Sequence, residues 1–439
     1  MNTYVFEAGT KKKILYAFLA GLFFLAVGIG LSSMSSGHQE EATTEGTHVV
    51  AGTHQQEEMK QEAASAVHQE EEKTVSTGTK VLANFYSLIY FGFFISLAAV
   101  FILSAATVAW GGWQIQIQKI TVSISQNIFV YLTLLGLSFL LFGHQLFEWL
   151  NNDLYDKASP HYDAVLALKH DYLNPVRFGA FFILLAGLSG GLAYKWWKNL
   201  KAQDESPSLK LFSQSRVIGA VSIVSIAFIL DTFCTWDWSM SIQPHWYSTM
   251  FPWYTMASAA VTAFSITLLI IMHLKGKGLL PNVNENHIHD VAKLMFAISV
   301  FWTYVFFDQY MLIWYGNLPE ETSFFINRRQ LNNYGFLFHI MFIINFILPF
   351  FILMKRNSKR NPNVGKFMAV VLILGHWMDF YLMIGPALVP KGGFGLISVG
   401  ALLIVGSLFA YVTLWRLSKV KDLVSSTHPY YKESLQHHI

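Results

Sequence analysis

Residues 81–110 have the sequence VLANFYSLIYFGFFISLAAVFILSAATVAW and carry no charged side chain. About 20 consecutive apolar residues suffice for a helix that crosses the hydrocarbon core of a bilayer. A helix is favoured there because it satisfies its backbone hydrogen bonds within its own segment. The stretch therefore predicts a membrane-spanning helix.

The rest of the chain repeats this pattern, with polar or Pro/Gly-containing breaks between apolar stretches. About ten spanning helices are predicted, at residues 14–34, 81–110, 124–150, 174–198, 216–240, 252–274, 290–316, 334–355, 365–388 and 394–416. Of the 439 residues, 53% are hydrophobic and only 13% are charged, and the net charge is +3. This composition excludes a soluble protein, and nothing in it indicates nucleic-acid binding. We expect an all-α polytopic membrane protein.

Charged side chains at membrane depth suggest how these helices are grouped. The third, fifth, seventh and ninth helices run outward and carry most of the buried charge, which suggests two similar four-helix units. We therefore divide the chain into an N-terminal transmembrane helix at 1–36, a loop at 37–80, a first four-helix bundle at 81–240, a second at 241–393, and a last transmembrane helix with a cytoplasmic tail at 394–439.

The first helix has two interpretations. It follows Lys11, Lys12 and Lys13 and ends in a serine-rich stretch, as a cleavable signal peptide does. Its apolar core is long for a signal peptide, so we expect an uncleaved first span.

The segment 37–80 differs sharply in composition from the helices around it. It interleaves His38, His48, His54 and His68 with nine glutamates and has few apolar residues. Such a composition favours a solvated acidic periplasmic loop. Metal binding by the histidines is the alternative, although their spacing matches no fixed ligand pattern.

Basic residues predict the orientation, because Lys and Arg are retained on the cytoplasmic side. They cluster in alternate loops, at Lys11–Lys13, Lys119, 195–216, 275–277, 355–360 and 416–421. Both termini are then expected in the cytoplasm of a bacterium, with the protein in the inner membrane.

Several ionisable residues fall within the predicted spans, where a charge is costly and usually faces a protein interior or a water-filled cavity. His376 and Asp379 are three residues apart and so share one helix face. A carboxyl group desolvated in hydrocarbon can exchange protons near neutral pH, as a proton relay requires. We predict a proton path open to the periplasm, formed by Asp231, Tyr304, Asp308, His339, His376 and Asp379.

A second polar group is predicted at the outer ends of the third and fourth helices. His144 and Glu148 are four residues apart, hence on one face of a helix, and Arg177 opens the next helix. They could form a quinol site or an outer-end polar site, whereas a local ion pair that orients the loop is equally consistent with the spacing. Asp237, between Trp236 and Trp238, is expected at headgroup level.

Five stretches together resemble one family of membrane subunits. They are GHQLFEWL at 143–150, LNPVRFG at 173–179, DTFCTWDWSMSIQPHWYSTMFPWY at 231–254, FFDQYMLIWYGNLPEE at 306–321 and GHWMDFYLMIGP at 375–386. The chain is similar over essentially its whole length to the ActF-type subunit of bacterial alternative complex III, within the NrfD-like family related to the polysulfide reductase membrane subunit.

This resemblance implies a fold and a set of partners. The fold is two four-helix bundles flanked by extra helices, in a complex that oxidises menaquinol and reduces a c-type cytochrome or an oxidase. An ActC-like sibling subunit would hold the quinol site, and periplasmic multihaem cytochrome c and iron–sulfur subunits would carry the electrons. The ActF type would contribute structural support and a proton pathway.

This chain is expected to bind no redox cofactor itself. Its single cysteine, Cys234, rules out both a CxxCH haem motif and an iron–sulfur ligand set. Menaquinone, haem c and iron–sulfur centres are expected elsewhere in the complex.

Three other functions remain as alternatives. In a direct quinol-binding subunit His144 would lie on the helix that carries the sibling's histidine, but the next helix has no obvious membrane-level acid. A secondary transporter would also show buried acids, although the paired Gly/Pro interruptions of discontinuous binding helices are not conspicuous. A haem b cytochrome would need axial histidines that face each other across a bundle.

Overall fold

The computed structural model describes residues 3–42, 75–330 and 333–436, so most of the predicted acidic loop, 43–74, lies outside the described residues. Within these ranges the secondary structure is helical, without strands. Ten helices are long and apolar enough to cross a membrane: α1 Ala8–Met34, α2 Thr77–Val108, α3 Gln118–Leu146, α4 Pro175–Glu205, α5 Leu209–Ile242, α6 Phe251–Gly276, α7 Glu285–Gly316, α8 Gly335–Leu353, α9 Pro362–Leu388 and α10 Leu396–Leu417. The predicted all-α polytopic fold is confirmed.

The helices pack in two groups. Helix α2 packs against α3 and α5, and α5 packs against α4; in the second group α6 packs against α7 and α9, and α8 packs against α7 and α9. Contacts of α2 with α6 and α9 join the groups. Helices α2, α6 and α9 are the most buried of the ten, so they form the centre of the molecule.

Helices α1 and α10 form a closely packed pair at the periphery. A Cβ atom added at Gly400 of α10 would lie 2.6 Å from the backbone nitrogen of Leu25, and one added at Gly28 of α1 would lie 2.8 Å from that of Ile397. Because only glycine fits at these points, the two helix backbones approach closely, as small residues allow between membrane helices.

The first and last parts of the described chain lie on one side of the molecule, here called the inner end. Lys277, after α6, pairs with Glu7 near the N-terminus at 2.9 Å, and Gln116, between α2 and α3, donates to Ser434 of the C-terminal tail at 2.8 Å. The basic loops predicted to share one side therefore do so. The opposite side is called the outer end.

Helix α3 begins six residues before the predicted start at 124 because Lys119 does not belong to a loop. Its ammonium group is buried and donates to both carboxylate oxygens of Asp204 at 2.7 Å and to the Asp422 carbonyl at 2.6 Å. A lysine with three acceptors can be buried. The ion pair ties the inner ends of α3 and α4 to the C-terminal tail.

Candidate functional site

A buried polar cluster lies within the second helix group, in the outer half of the span. It consists of Tyr254 and Ser258 on α6, Trp302 on α7, and His376 and Asp379 on α9, and is called the Asp379 cluster. The side chains of His376 and Asp379 are fully buried. The predicted pairing of these two residues on one face of α9 is what brings them into the bundle.

Three donors converge on the Asp379 carboxylate. Ser258 Oγ donates to Oδ2 at 2.7 Å and Trp302 Nε1 donates to the same atom at 2.9 Å, while the Tyr254 hydroxyl donates to Oδ1. An ionised carboxylate accepts and never donates, so this arrangement is complementary to a charged Asp379.

Ser258 also connects Asp379 to His376. Its hydroxyl lies 2.8 Å from His376 Nδ1, whereas the direct distance from Nδ1 to Asp379 Oδ2 is 3.7 Å. Since Ser258 has a single proton, it can donate to Asp379 only when the proton between Ser258 and His376 belongs to Nδ1, so we assign the Nδ1–H form to His376 in this network. The three groups form a continuous chain of exchangeable protons.

Further buried polar atoms without hydrogen-bond partners lie on α8 and α9. His376 Nε2 and both amide atoms of Asn345 are buried without a hydrogen-bond partner within the described ranges. Asn345 sits in a π-helical turn of α8, Ile343–Ile347, and a Cβ atom at Gly375 would lie only 2.0 Å from its Oδ1. π-helical turns are frequent at functional sites. Gly375 thus lets Asn345 lie against α9 beside His376.

An arginine covers the outer end of this cluster. Arg328 lies in the last turn of the short outer helix Pro319–Arg329 and is buried. Its guanidinium donates to the carbonyls of Leu382 at 2.6 Å, Phe324 at 2.8 Å and Met383 at 3.0 Å. Leu382 needs this donor because Pro386, four residues on, has no N–H.

Burial lowers the pKa of Arg328 to about 9, against the opposing influence of Tyr254 and Tyr334. The guanidinium therefore remains charged at neutral pH. It places a fixed positive charge above the Tyr254 hydroxyl, at the periplasmic side of the cluster in the predicted orientation.

The first helix group contains a different polar cluster, formed by Tyr90 on α2 with Asp231 and Thr235 on α5. Asp231 follows directly after a second π-helical turn, Ile226–Leu230. Asp231 Oδ1, the Tyr90 hydroxyl and the Thr235 hydroxyl are all buried and lie within reach of one another, but among the described residues none of them makes a well-formed hydrogen bond. This group is called the Asp231 cluster.

Aromatic rings separate the two clusters. The Tyr90 ring packs against Phe94 at 4.7 Å and against Phe380 at 5.7 Å, measured between ring centroids. Phe380 is the neighbour of Asp379 on α9. The predicted path residues Asp231 and Asp379 therefore lie in adjacent but distinct clusters.

The other predicted path residues lie on outward faces. Tyr304 is 63% exposed, and Asp308, one turn further along α7, is partly exposed on the same side. His339 is exposed on α8 and its Nδ1 contacts the Gly335 carbonyl of its own helix at 2.5 Å. The structure brings His376 and Asp379 together, whereas Tyr304, Asp308 and His339 face away from them.

The predicted outer-end group is also divided. Helix α3 ends at Leu146, and the extended backbone of Phe147 puts Glu148 in a separate 3₁₀ turn, so His144 and Glu148 do not share a helix. Both side chains are exposed. The prediction of one shared helical face for this pair is wrong, because it assumed that the helix continues to residue 150.

Arg177 instead pairs with Asp237. Its guanidinium donates to Asp237 Oδ1 at 2.7 Å and Oδ2 at 3.2 Å, and it stacks on the Tyr172 ring at 3.7 Å. Asp237 is 2% exposed and accepts a further bond from Tyr172 at 3.1 Å. Arg177 and Asp237 thus join the outer ends of α4 and α5.

Hydroxyl groups between the clusters and the inner end are mostly satisfied within the protein. Ser222 and Thr267 donate to the carbonyls four residues earlier, and the Tyr131 hydroxyl donates to the Val405 carbonyl. Ser299 is buried with its hydroxyl unpartnered in the part of the chain that the structure describes. Side chains that hydrogen-bond to one another are therefore more numerous in the outer half of the span than in the inner half.

Sequence reasoning missed four residues of this site: Tyr254, Ser258, Trp302 and Arg328. One signal was present, because Pro386 inside a spanning helix frees a carbonyl that requires an outside donor. Tyr254 ends the aromatic stretch at 231–254, which is distinctive in the sequence but does not indicate contact with Asp379. Ser258 and Trp302 gave no signal, since aromatic and hydroxyl side chains are common in membrane helices.

The described residues contain no group of three or more His, Cys, Asp or Glu side chains that could hold a metal ion. No protein-family model matches the chain. No curated protein matches it significantly.

Proposed function

We propose that this chain is a membrane subunit of an alternative complex III-type quinol:cytochrome c or quinol:oxidase oxidoreductase. It gives structural support and a proton-conducting path coupled to quinol oxidation by an ActC-like sibling subunit. The sequence resemblance supports the assignment to this complex, and the buried Asp379 cluster supports the proton path. Its location would be the bacterial inner membrane, with both termini cytoplasmic.

The observation that carries the proton path is the connected set Asp379, Ser258 and His376. When His376 is protonated on both ring nitrogens, its Nδ1 proton can pass to Ser258 Oγ as the Ser258 proton passes to Asp379 Oδ2, because both distances are below 3 Å; the products are a neutral imidazole and a neutral carboxylic acid. Each transfer leaves Ser258 neutral. Buried acids and histidines that pair with one another are typical of proton relays in membrane proteins.

The outer half of the span favours proton exchange with the periplasm. The Asp379 cluster lies there beneath Arg328, whereas the hydroxyls closer to the inner end are mostly engaged by backbone carbonyls. This supports a half-channel from the outer side and does not require a complete path across the membrane.

The experiment is Asp379→Asn in the intact complex reconstituted in vesicles, with electron transfer from quinol and proton movement measured in parallel. Asn keeps the shape and accepts hydrogen bonds but does not titrate. Removing a proton-transfer group typically lowers the rate of the step that needs it at least about a hundredfold. We expect the complex to assemble and coupled proton movement to fall by that order. Wild-type values for both measurements would end the relay proposal at Asp379.

Asp308→Asn is the matched comparison, because Asp308 was predicted on the same path but lies on the outward face of α7. Reduced proton movement in this variant would extend the path across the α7 face, where a neighbouring subunit would have to enclose it. Unchanged values would limit the path to the Asp379 cluster.

The partners can be tested separately. Purification under mild conditions should recover haem-bearing and iron–sulfur subunits with this chain, whose own absorption spectrum should lack a Soret band. Recovery of the chain alone, together with substrate-dependent transport in vesicles, would favour the secondary-transporter alternative.

A further inference from the structure

An apolar groove runs from the middle of the molecule towards its inner end between α6, α9 and α10, with α2 and α3 at its base. Its volume is about 330 Å³. Leu88, Phe91 and Ile95 of α2 line it with Leu269 of α6 and Phe409 of α10. This volume is within the range of ligand sites in proteins.

The length of the groove fits one bilayer leaflet. Its lining on α10 extends from Leu402 to Leu414, which at 1.5 Å per residue is about 18 Å. One leaflet contributes about half of a hydrocarbon core about 30 Å thick. A single extended acyl chain would therefore fill the groove, from about the middle of the span to the last turn before the inner end of α10.

Gly406 forms an open stretch of this groove. It is exposed, and a Cβ atom added there meets nothing within 4 Å. The opening faces the surface of the chain, so a lipid can enter sideways.

The inner mouth of the groove is polar and basic. His273 lies there, 3.5 Å from the Tyr4 hydroxyl, and Lys277 and Lys13 are within electrostatic reach of the imidazole. Lys11 and Lys12 adjoin Lys13, and Glu7 is the acidic side chain that pairs with Lys277. Basic pockets between membrane helices on the cytoplasmic side suit anionic lipid headgroups.

We propose that this groove is a specific site for an anionic phospholipid, with one acyl chain along Gly406 and the phosphate at Lys13, Lys277 and His273. The apolar lining supplies the chain contacts, and the lysines supply headgroup selectivity. The site is independent of the proton path, because its residues do not belong to the Asp379 cluster.

The first test compares two glycine substitutions in the purified full-length chain. Gly406→Leu adds a side chain to the groove lining at a point where its Cβ meets no atom within 4 Å, and Gly187→Leu, at an exposed position of α4 where a Cβ also meets none, is the control. Bound lipids are counted by mass spectrometry. We expect Gly406→Leu to lose about one phosphatidylglycerol per chain and Gly187→Leu to lose none. Equal phosphatidylglycerol content in both would overturn the proposal, as would selective loss of menaquinone from Gly406→Leu.

The second test measures headgroup selectivity by titrating delipidated protein with phosphatidylglycerol or phosphatidylethanolamine. Lys13→Gln should weaken phosphatidylglycerol binding about fivefold, as expected for one lysine at an anionic headgroup. It should leave phosphatidylethanolamine binding unchanged. Lys198→Gln, on the exposed inner part of α4, should change neither. Equal affinity of the unaltered chain for the two lipids would overturn the anionic assignment.

Discussion

The two helix groups bury similar polar side chains but differ in how many hydrogen bonds those side chains make. Each holds a carboxylate and a tyrosine, and in each a π-helical turn interrupts a spanning helix. In the second group the carboxylate of Asp379 has three donors and a linked histidine. In the first group, by contrast, Asp231 Oδ1 and the Tyr90 hydroxyl lie near Thr235 but make no well-formed hydrogen bond within the described residues.

This difference separates two consequences of burying an acid. A fully paired carboxylate fixes the positions of the helices that donate to it, so Asp379 orders α6, α7 and α9. A buried carboxylate with few hydrogen bonds destabilises the fold, because the free-energy cost of its desolvation is not offset by hydrogen bonding. We therefore expect Asp379 to be required for stability and Asp231 to be dispensable for it.

The outer ends differ in the same sense. Arg328 over the second group is held by three backbone carbonyls, whereas Arg177 over the first is held by the side chain of Asp237. When Arg177 is replaced, a second substitution at Asp237 can remove the carboxylate left unpaired. No second substitution can remove the backbone carbonyls left unpaired when Arg328 is replaced.

The largest expected effect separates Asp379→Leu from Asp231→Leu. Asp379→Leu leaves the donors of Tyr254, Ser258 and Trp302 unpaired in the core and should cost about 3–5 kcal/mol, as breaking a buried charged network does. Asp231→Leu removes an underpaired group and should stay within about 1 kcal/mol. Thermal unfolding of both variants in one detergent measures this. Equal losses would remove the distinction between the clusters.

The next effect concerns the arginines. Arg328→Gln and Arg177→Gln should each lower the free energy of unfolding by about 2–3 kcal/mol, because hydrogen bonds to a charged group are lost. The Arg177 side chain is 17% exposed, so solvent screening should place its loss at the lower end of this range. Adding Asp237→Asn to Arg177→Gln should recover part of the loss by removing the unpaired charge. Unfolding midpoints of the single and double variants measure the recovery. A double variant that is no better than Arg177→Gln would show that the ion pair is not what joins α4 to α5.

The smallest expected effect comes from removing one tyrosine hydroxyl in each cluster. Tyr254→Phe removes a donor to a carboxylate and should cost about 1.5–3 kcal/mol. Tyr90→Phe removes a hydroxyl without a partner among the described residues and should change stability by less than about 0.5 kcal/mol. Both keep the ring packing, so the pair is matched. A large loss for Tyr90→Phe would indicate a partner for its hydroxyl, such as bound water.

The sequence predicted the membrane-spanning helices well. Their apolar stretches have to be long enough for the bilayer, and that length is visible along the chain. It also predicted the shared side of the basic loops and the pairing of His376 with Asp379, because a spacing of three residues on one helix fixes their common face.

Helix ends were less predictable where a charge is buried. The distribution of basic residues predicts that Lys119 lies in a cytoplasmic loop. Only the structure supplies Asp204 and the Asp422 carbonyl, which allow that lysine to continue α3.

The orientation of each helix about its own axis was decided only by the tertiary structure. On α7, Trp302 faces the Asp379 cluster, whereas Tyr304 and Asp308 face outward, although all three lie within two turns. In a soluble protein an apolar stripe would mark the inner face. In a membrane protein lipid and protein core are both apolar, so hydropathy along α7 determines that the helix crosses the membrane but not which side chains meet inside it.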